Sequence, residues 1–149
     1  MDKTARLWDC RSVDGQVRTY DLRKGQLTSD YIGSPVTSVC QSDDGKCLLV
    51  TTLDDCIRLF DRYDGSLLNS YRGHKNKNYR IQSRLNNSDE YIATGSEDGS
   101  IVIWDLLDAN IQRRLHHHQN IVTSVIFHPK DQTRMASASA DGSIVLWCK

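Results

Sequence analysis

Side chains that could perform acyl transfer occur together in the middle of this sequence. His74, Thr94 and Asp98 supply an imidazole, a hydroxyl and a carboxylate, which are the groups of a catalytic triad. A triad also needs an exposed nucleophile beside an oxyanion hole. Thr94 lies inside the apolar run 91–96, where a strand is expected and neither requirement is met. The sequence therefore favours a structural role for these residues and predicts no catalytic residue.

A second group with possible chemistry is the run His116, His117 and His118. Imidazoles are common metal ligands. However, adjacent residues in an extended segment point in alternate directions, and the sequence places no Cys or carboxylate at ligand spacing nearby. We interpret the run as a turn with one structural histidine, His118. Neither a metal site nor a cofactor is predicted.

The elements that must position these residues follow a repeat. Four Asp residues, separated by 40, 44 and 43 positions, each precede an aromatic residue by six positions: Asp14 with Tyr20, Asp54 with Phe60, Asp98 with Trp104, and Asp141 with Trp147. The best copy holds short apolar runs at 79–85, 91–96 and 100–104, and its Asp98-Gly99 turn is a strong hairpin signal. A period of roughly 40 to 45 residues is typical of a four-stranded propeller blade.

With Gly73-His74 and Trp104-Asp105 as its landmarks, the repeat resembles that of the WD-repeat family over practically the whole chain. The resemblance implies a hydrogen-bonded network among a turn His, a second-strand Ser or Thr, the turn Asp and a third-strand Trp. Its members would be His74, Thr94, Asp98 and Trp104 in one repeat, and His118, Ser137, Asp141 and Trp147 in the next.

The repeats predict one all-β array over residues 1–149. Its landmarks lie at 2–9 (a remnant strand), 13–32, 33–71, 72–115 and 116–149. Two complete four-stranded sets with a partial set at each end make a partial WD-repeat β-propeller of about three and a half blades. Rings of this type close with typically 4 to 8 blades, so the array is expected to be unable to close alone.

An irregularity near the N-terminus leads to a specific hypothesis. Trp8 and Tyr20 mark two successive repeats, yet only 12 positions separate them instead of about 40. We expect residues 4–8 to pair with residues 16–20 as a hairpin across 9–15. The first strand would then stand in for a missing second strand.

Composition excludes several classes of protein. The chain has 149 residues, 38% hydrophobic, with a formal net charge of +0, which gives no strong nucleic-acid or membrane-surface footprint. The mean hydropathy of −0.53 fits the absence of any long apolar run, and residues 1–11 do not resemble a signal peptide. The five cysteines lack paired spacing. Reduced thiols and a cytoplasmic or nuclear location are expected.

A closer resemblance lies in three segments, DGQVRTYDLRKGQL (14–27), GSPVTS (33–38) and YRGHKNKNY (71–79). They are similar to the mitogen-activated protein kinase organizer group of WD-repeat scaffolds, which is also associated with the spliceosome. The resemblance implies a non-catalytic platform that assembles MAP kinase pathway components, or a subunit of splicing complexes in mRNA splicing.

The best candidate for a partner-binding surface is the loop 72–80, which concentrates cations beside an aromatic residue: Arg72, Lys75, Lys77, Tyr79 and Arg80. Loops on a rigid sheet often carry recognition, although a solvated turn would have the same composition. Two functions remain open, a protein scaffold and direct RNA contact as a ribonucleoprotein subunit. Affinity that falls steeply with salt would indicate RNA.

Overall fold

The computed structural model describes residues 6–9, 14–21 and 24–148, and for residues 6–9 it describes the strand without its side chains. These residues form fourteen β-strands in four separate antiparallel sheets, and no helix occurs among them. None of the four sheets closes on itself within the described part of the chain. The all-β partial propeller is confirmed. We number the sheets blades 1 to 4 in chain order.

Blades 2 and 3 are the complete four-stranded sets. Blade 2 contains β4 (Val36–Gln41), β5 (Cys47–Thr52), β6 (Cys56–Asp61) and β7 (Leu67–Arg72). Blade 3 contains β8 (Ser83–Leu85), β9 (Tyr91–Gly95), β10 (Ser100–Asp105) and β11 (Ile111–His116). In both blades the strands pair in sequence order, from an inner first strand to an outer fourth strand.

Blades 1 and 4 have three strands each in the described chain. Blade 1 contains β1 (Arg6–Asp9), β2 (Gln16–Asp21) and β3 (Gln26–Tyr31), and blade 4 contains β12 (Val122–Phe127), β13 (Arg134–Ser139) and β14 (Ile144–Cys148). β1 pairs antiparallel with β2, as the hairpin hypothesis expects for residues 6–8. β1 therefore occupies the position that the second strand has in a complete blade. Residues 2–5 of the remnant lie outside the described residues.

The hydrophobic core is divided among the junctions between successive blades. Its largest part joins blades 2 and 3, where Tyr71 packs edge-on against Trp104 at a ring distance of 6.4 Å and both side chains are fully buried. Burying an indole removes ~150–250 Å² from water and contributes on the order of a few kcal/mol. The tyrosine hydroxyl donates to the Leu106 carbonyl at 2.6 Å and so remains satisfied.

The other two junctions are smaller. Val17 of blade 1 packs against Val36 and Val50 of blade 2. The junction of blades 3 and 4 buries five side chains: Ala93, Ile101, Val122, Val125 and Met135. Each blade is therefore held by its sequence neighbours, as in other repeat proteins.

The apolar run 79–85 is a strand only in its last three residues, because only Ser83–Leu85 pairs with β9. The preceding backbone is bonded to other elements. The Ile81 carbonyl accepts a hydrogen bond from Thr37 of blade 2 at 3.2 Å, and the Gln82 amide donates to Thr123 of blade 4 at 3.0 Å. Residues 81–82 therefore join the inner strands of the two adjacent blades instead of extending β8.

Candidate functional site

The loop between β7 and β8, residues 73–82, lies against the turns of blades 2 and 3. Arg72, just before it, donates to the Asp54 carbonyl at 3.4 Å. The ammonium of Lys77 lies 3.5 Å from the Asp55 carboxylate. Two of the four predicted partner-binding cations therefore already contact blade 2.

A carboxylate from blade 3 organises the tip of this loop. The backbone amides of Lys77, Asn78 and Tyr79 all donate to Oε1 of Glu97, at 2.6, 2.6 and 3.3 Å. Three successive N–H groups converging on one oxygen form an anion-binding nest. Burial alone would raise the pKa of Glu97, but these backbone donors outweigh it and hold the pKa below its usual range. The loop tip is thereby fixed in one conformation.

Asn76 ties the same loop to blade 2 from the inside. Its side chain is fully buried and donates to the Thr52 carbonyl at 3.2 Å and to the Thr37 hydroxyl at 3.4 Å. Its own amide donates to the Asp55 carboxylate at 2.7 Å. Such buried polar bonds are costly to leave unmade, so the loop cannot move without losing them.

Lys75, Tyr79 and Arg80 remain exposed on the outside of the fixed loop, and Tyr79 is 51% exposed. The same loop holds the Glu97 carboxylate, and its Lys77 lies beside Asp55. The surface that they form is therefore mixed in charge, with an aromatic ring at its edge.

The His-Ser-Asp-Trp residues of blade 4 are brought together. The His118 ring lies 2.7 Å from the Ser137 hydroxyl through Nε2, and 2.9 and 3.3 Å from Ser143 and Asp141 through Nδ1. Trp147 Nε1 donates to Ser137 at 2.8 Å. The Ser143 hydroxyl in turn donates to Asp141 and, with backbone donors, holds the pKa of Asp141 well below its usual range. The His118 ring thus joins two hydroxyls and a carboxylate in one chain of hydrogen bonds.

The corresponding network is not formed in blade 3, although His74 lies next to Trp104 with a ring distance of 5.7 Å. Neither ring nitrogen of His74 has a hydrogen-bond partner among the described residues. Trp104 Nε1 donates instead to the Arg72 carbonyl at 3.1 Å. Burial lowers the pKa of His74 to about 4, so its ring is neutral near pH 7.

The remaining two members of that expected network also have other partners. The Thr94 hydroxyl donates to the Gln82 carbonyl at 3.3 Å, and Asp98 accepts from the amide and hydroxyl of Ser100 at 3.0 and 2.6 Å. This corrects the expectation for blade 3. The repeat with the complete Gly-His landmark lacks the network, whereas the repeat with His118 has it.

Loop length explains the difference between the two blades. Ser83 pairs with Thr94 and Val125 pairs with Ser137, so these inner-strand positions are equivalent. His74 precedes Ser83 by nine residues, whereas His118 precedes Val125 by seven. Blade 3 therefore has two additional loop residues, and its histidine is held away from the hydroxyl and the carboxylate.

Comparison with known proteins agrees with this architecture. The model of the WD domain, G-beta repeat, matches residues 25–61, 65–105 and 109–148, which is most of the chain. The chain belongs to the WD-repeat family. The three matched segments each run from an outer strand to the third strand of the next blade, so the WD-repeat unit is offset from the sheets.

Similar WD-repeat proteins occur in distant organisms. The chain is 44% identical over 136 residues to WD repeat domain-containing protein 83 of Rattus norvegicus, and 43% identical over 123 residues to that of Danio rerio. It is 38% identical over 136 residues to the WD repeat domain-containing protein 83 homolog of Dictyostelium discoideum. These matches cover 91%, 83% and 91% of this chain, but only 42%, 38% and 42% of the relatives. The chain thus spans about two fifths of their length.

Sequence reasoning missed Glu97 and Asn76, which position the WD-repeat loop. Glu97 had a detectable signal, because it is the only acidic residue directly before a turn Asp: the other turns have Val13, Leu53 and Ala140 at that place. Glu97 occurs in blade 3, whose loop before the inner strand is two residues longer than that of blade 4. Asn76 gave no comparable signal, since polar residues are common in loops.

The structure also bears on the histidine run and on membrane association. His116 and His117 are exposed while His118 is buried, so the three rings do not converge. Within residues 6–9, 14–21 and 24–148, no group of three His, Cys, Asp or Glu side chains has an arrangement that could hold a metal ion.

The same described residues include no helix that is long and apolar enough to cross a membrane.

Proposed function

We propose that this protein is a non-catalytic scaffold that assembles other proteins, and that it presents the loop 73–80 to one of them. The observation that carries the proposal is the fixation of this loop by Glu97 and Asn76, which leaves Lys75, Tyr79 and Arg80 exposed. A surface that is ordered before binding loses less conformational entropy when a partner docks. Tyr and Arg are also enriched among the residues that dominate binding energy.

A scaffold role also suits the surroundings of the His, Ser and Asp side chains. Ser137 is 2% exposed and already bonded to Trp147 and His118, and Thr94 is fully buried. A hydroxyl nucleophile must reach its substrate, and these two hydroxyls do not reach the surface. Their polar groups stabilise the blades instead.

The partners that we propose are components of a MAP kinase cascade or subunits of a splicing complex, in the cytoplasm or the nucleus. The support is the resemblance of residues 14–27, 33–38 and 71–79 to the mitogen-activated protein kinase organizer group. The last of these segments contains residues 73–79 of the fixed loop. One of the three segments that carry the resemblance therefore overlaps the candidate surface.

RNA contact is less favoured by the same surface. Lys77 lies beside Asp55, and Glu97 places a carboxylate at the centre of the loop. A phosphate backbone is bound by cations that remain available to it. The mixed charge favours a protein partner.

Affinity capture with the purified chain tests the proposal. Lys75→Glu combined with Tyr79→Ala is expected to reduce capture of MAP kinase or splicing components from cell extract about tenfold or more, because it removes a charge and an aromatic contact. Lys130→Glu combined with Tyr63→Ala is the matched control, since Lys130 and Tyr63 are exposed outside the loop. Capture that is equal for both variants, or that disappears after nuclease treatment, would contradict a protein-binding loop.

A further inference from the structure

Five successive backbone amides in the loop between β7 and β8 donate to side chains of neighbouring turns. The Lys75 amide donates to the Ser96 hydroxyl at 2.9 Å, and the Asn76 amide donates to the Asp55 carboxylate at 2.7 Å. The next three amides, of residues 77–79, all donate to Oε1 of Glu97. Successive N–H groups of this kind make a concave binding site for an anion. The site at 77–79 is therefore complete before any partner arrives.

Glu97 fills this site with its side chain alone. Its backbone amide donates to the Lys75 carbonyl at 2.9 Å, which anchors the main chain of Glu97 beside the start of the loop. Its other carboxylate oxygen accepts from the Asn78 side chain at 3.3 Å, and the residue is only half-buried. A rotation of the Glu97 side chain would therefore empty the nest without a movement of β9 or β10.

Cations next to the nest increase its preference for negative charge. Lys75 is exposed and forms no ion pair with the described residues. The Lys77 side chain is 68% exposed, and its ammonium lies 3.5 Å from Asp55. Both lysines belong to the nest or lie within two residues of it. An anion with more charge than a carboxylate would gain most from this setting.

The present occupant limits which anion can bind. A carboxylate from a partner would replace Glu97 with an equivalent group and would gain nothing over it. A phosphoryl group carries about −1.5 to −2 charge at pH 7 and offers three acceptor oxygens. A nucleic-acid phosphate carries a single charge and lacks this advantage. The chemistry that suits displacement of Glu97 is therefore a phosphate monoester.

We propose that the amides of residues 77–79 bind a phosphoryl group on a Ser, Thr or Tyr of a partner protein, and that Glu97 occupies the site until the partner displaces it. This inference rests on the proposed function, because it takes the loop 73–80 as the docking surface. It adds the chemical state of the partner. Glu97 thereby makes docking depend on phosphorylation of the bound protein.

Titration of the purified chain with inorganic phosphate near pH 7, followed through the NMR signals of amides 77–79, is the first measurement. Glu97→Gln keeps an oxygen acceptor in the nest but removes its charge. Apparent affinity is reduced by the fraction of molecules with an open site, so the variant should bind phosphate roughly tenfold more tightly than the unaltered chain. Glu90→Gln is the control, because it removes the same charge from an exposed site outside the loop. Equal affinities for the two variants would overturn the proposal.

Hydrogen exchange in Glu97→Ala gives an independent test that does not require an ordered loop. This variant leaves the amides of residues 77–79 without their acceptor. Inorganic phosphate should slow their exchange several-fold, because it takes the place of the carboxylate. Acetate and oligouridylate at the same ionic strength should slow it much less. Exchange that phosphate does not change, or that acetate or RNA slows equally, would overturn the proposal.

Phosphatase treatment of the cell extract separates this inference from the proposed function. Capture of MAP kinase or splicing components by the unaltered chain should fall several-fold after treatment. Capture that survives treatment but is lost in the variant with Lys75→Glu and Tyr79→Ala would overturn the phosphoryl site and leave the protein-binding loop in place. Capture that neither treatment nor variant changes would contradict the docking surface itself, and with it this inference.

Discussion

His74 and His118 occupy matching landmarks of neighbouring repeats, but only one of their rings contributes hydrogen bonds. His118 connects two hydroxyls and a carboxylate, whereas His74 lies perpendicular to the Trp104 indole and leaves both ring nitrogens without a partner among the described residues. A buried polar group without a partner costs stability, and an apolar ring of similar shape avoids that cost. The two positions should therefore respond differently to the same substitution.

Replacing each histidine by Phe tests this difference at pH 7. His118→Phe should lower the free energy of unfolding by about 1–3 kcal/mol, because Ser137 and Ser143 lose a partner. His74→Phe should be neutral or stabilising, since it removes only unpartnered nitrogens. Urea unfolding followed by tryptophan fluorescence measures both values. A larger loss for His74→Phe than for His118→Phe would contradict the assignment.

The buried His74 also predicts a dependence of stability on pH. Its folded-state pKa of about 4 lies below the ordinary value of 6.5, so the folded protein binds fewer protons than the unfolded chain in this interval. The part of the free energy of unfolding that depends on a neutral His74 is fully present above pH 6.5, and it is lost as the pH falls towards 4. Between pH 7 and 5 the loss should be roughly 2 kcal/mol.

Urea unfolding of His74→Phe beside the unaltered chain isolates this contribution, because the other titrating groups are shared. The variant should lose less stability over the interval than the unaltered chain. Parallel curves for the two proteins would show that His74 does not titrate in this way.

At the scale of elements, the loop 73–82 is held by contacts that a strand would not make. Glu97 occupies the amides of residues 77–79, and residues 81–82 bond to the inner strands on either side. The order of the loop thus depends on the charge of one carboxylate and on the adjacent blades.

Glu97→Ala should release the loop tip while the blades remain folded. The amides of residues 77–79 lose their common acceptor, so we expect their hydrogen exchange to accelerate and unfolding stability to fall by about 1.5–3 kcal/mol. Glu90→Ala serves as the control, because Glu90 is exposed and its carboxylate accepts a hydrogen bond from the Ser88 hydroxyl and none from the loop amides. Unchanged exchange at residues 77–79 in Glu97→Ala would show that another contact orders the loop.

The blade pattern was predictable from sequence because it depends on local spacing. Asp98 and Trp104 lie six positions apart, and their turn and strand follow from residues within one hairpin. The shortened β8 was not predictable, because the amides of residues 77–79 are taken by Glu97, about twenty positions later. The exchanged roles of His74 and His118 depend on a two-residue difference in loop length, which a match of residue types does not reveal.

At the scale of the whole molecule, blade 3 should be more stable than blade 1. Blade 3 is covered on both faces, whereas every residue of β3 in blade 1 is exposed. Repeat arrays are stabilised mainly by their neighbour contacts, so blade 1, with its exposed β3, should open more easily than blade 3.

Native-state hydrogen exchange measures this gradient. The amides of β9 and β10 should exchange on the order of ten times more slowly, or slower still, than those that bond β2 to β3. Equal rates across the four blades would show that the chain opens only as one cooperative unit.

Gly95 determines how closely the sheets of blades 3 and 4 pack at their junction. A Cβ built on Gly95 would lie 2.0 Å from the Val122 carbonyl oxygen, so the absence of a side chain lets β9 and β12 touch backbone to backbone. The equivalent position in blade 4 is Ala138, three residues before its turn Asp. A methyl group at Gly95 would therefore force β9 and β12 apart at this junction. The curvature of the array, and therefore the number of sheets in a closed ring, should depend on the absence of a side chain at Gly95.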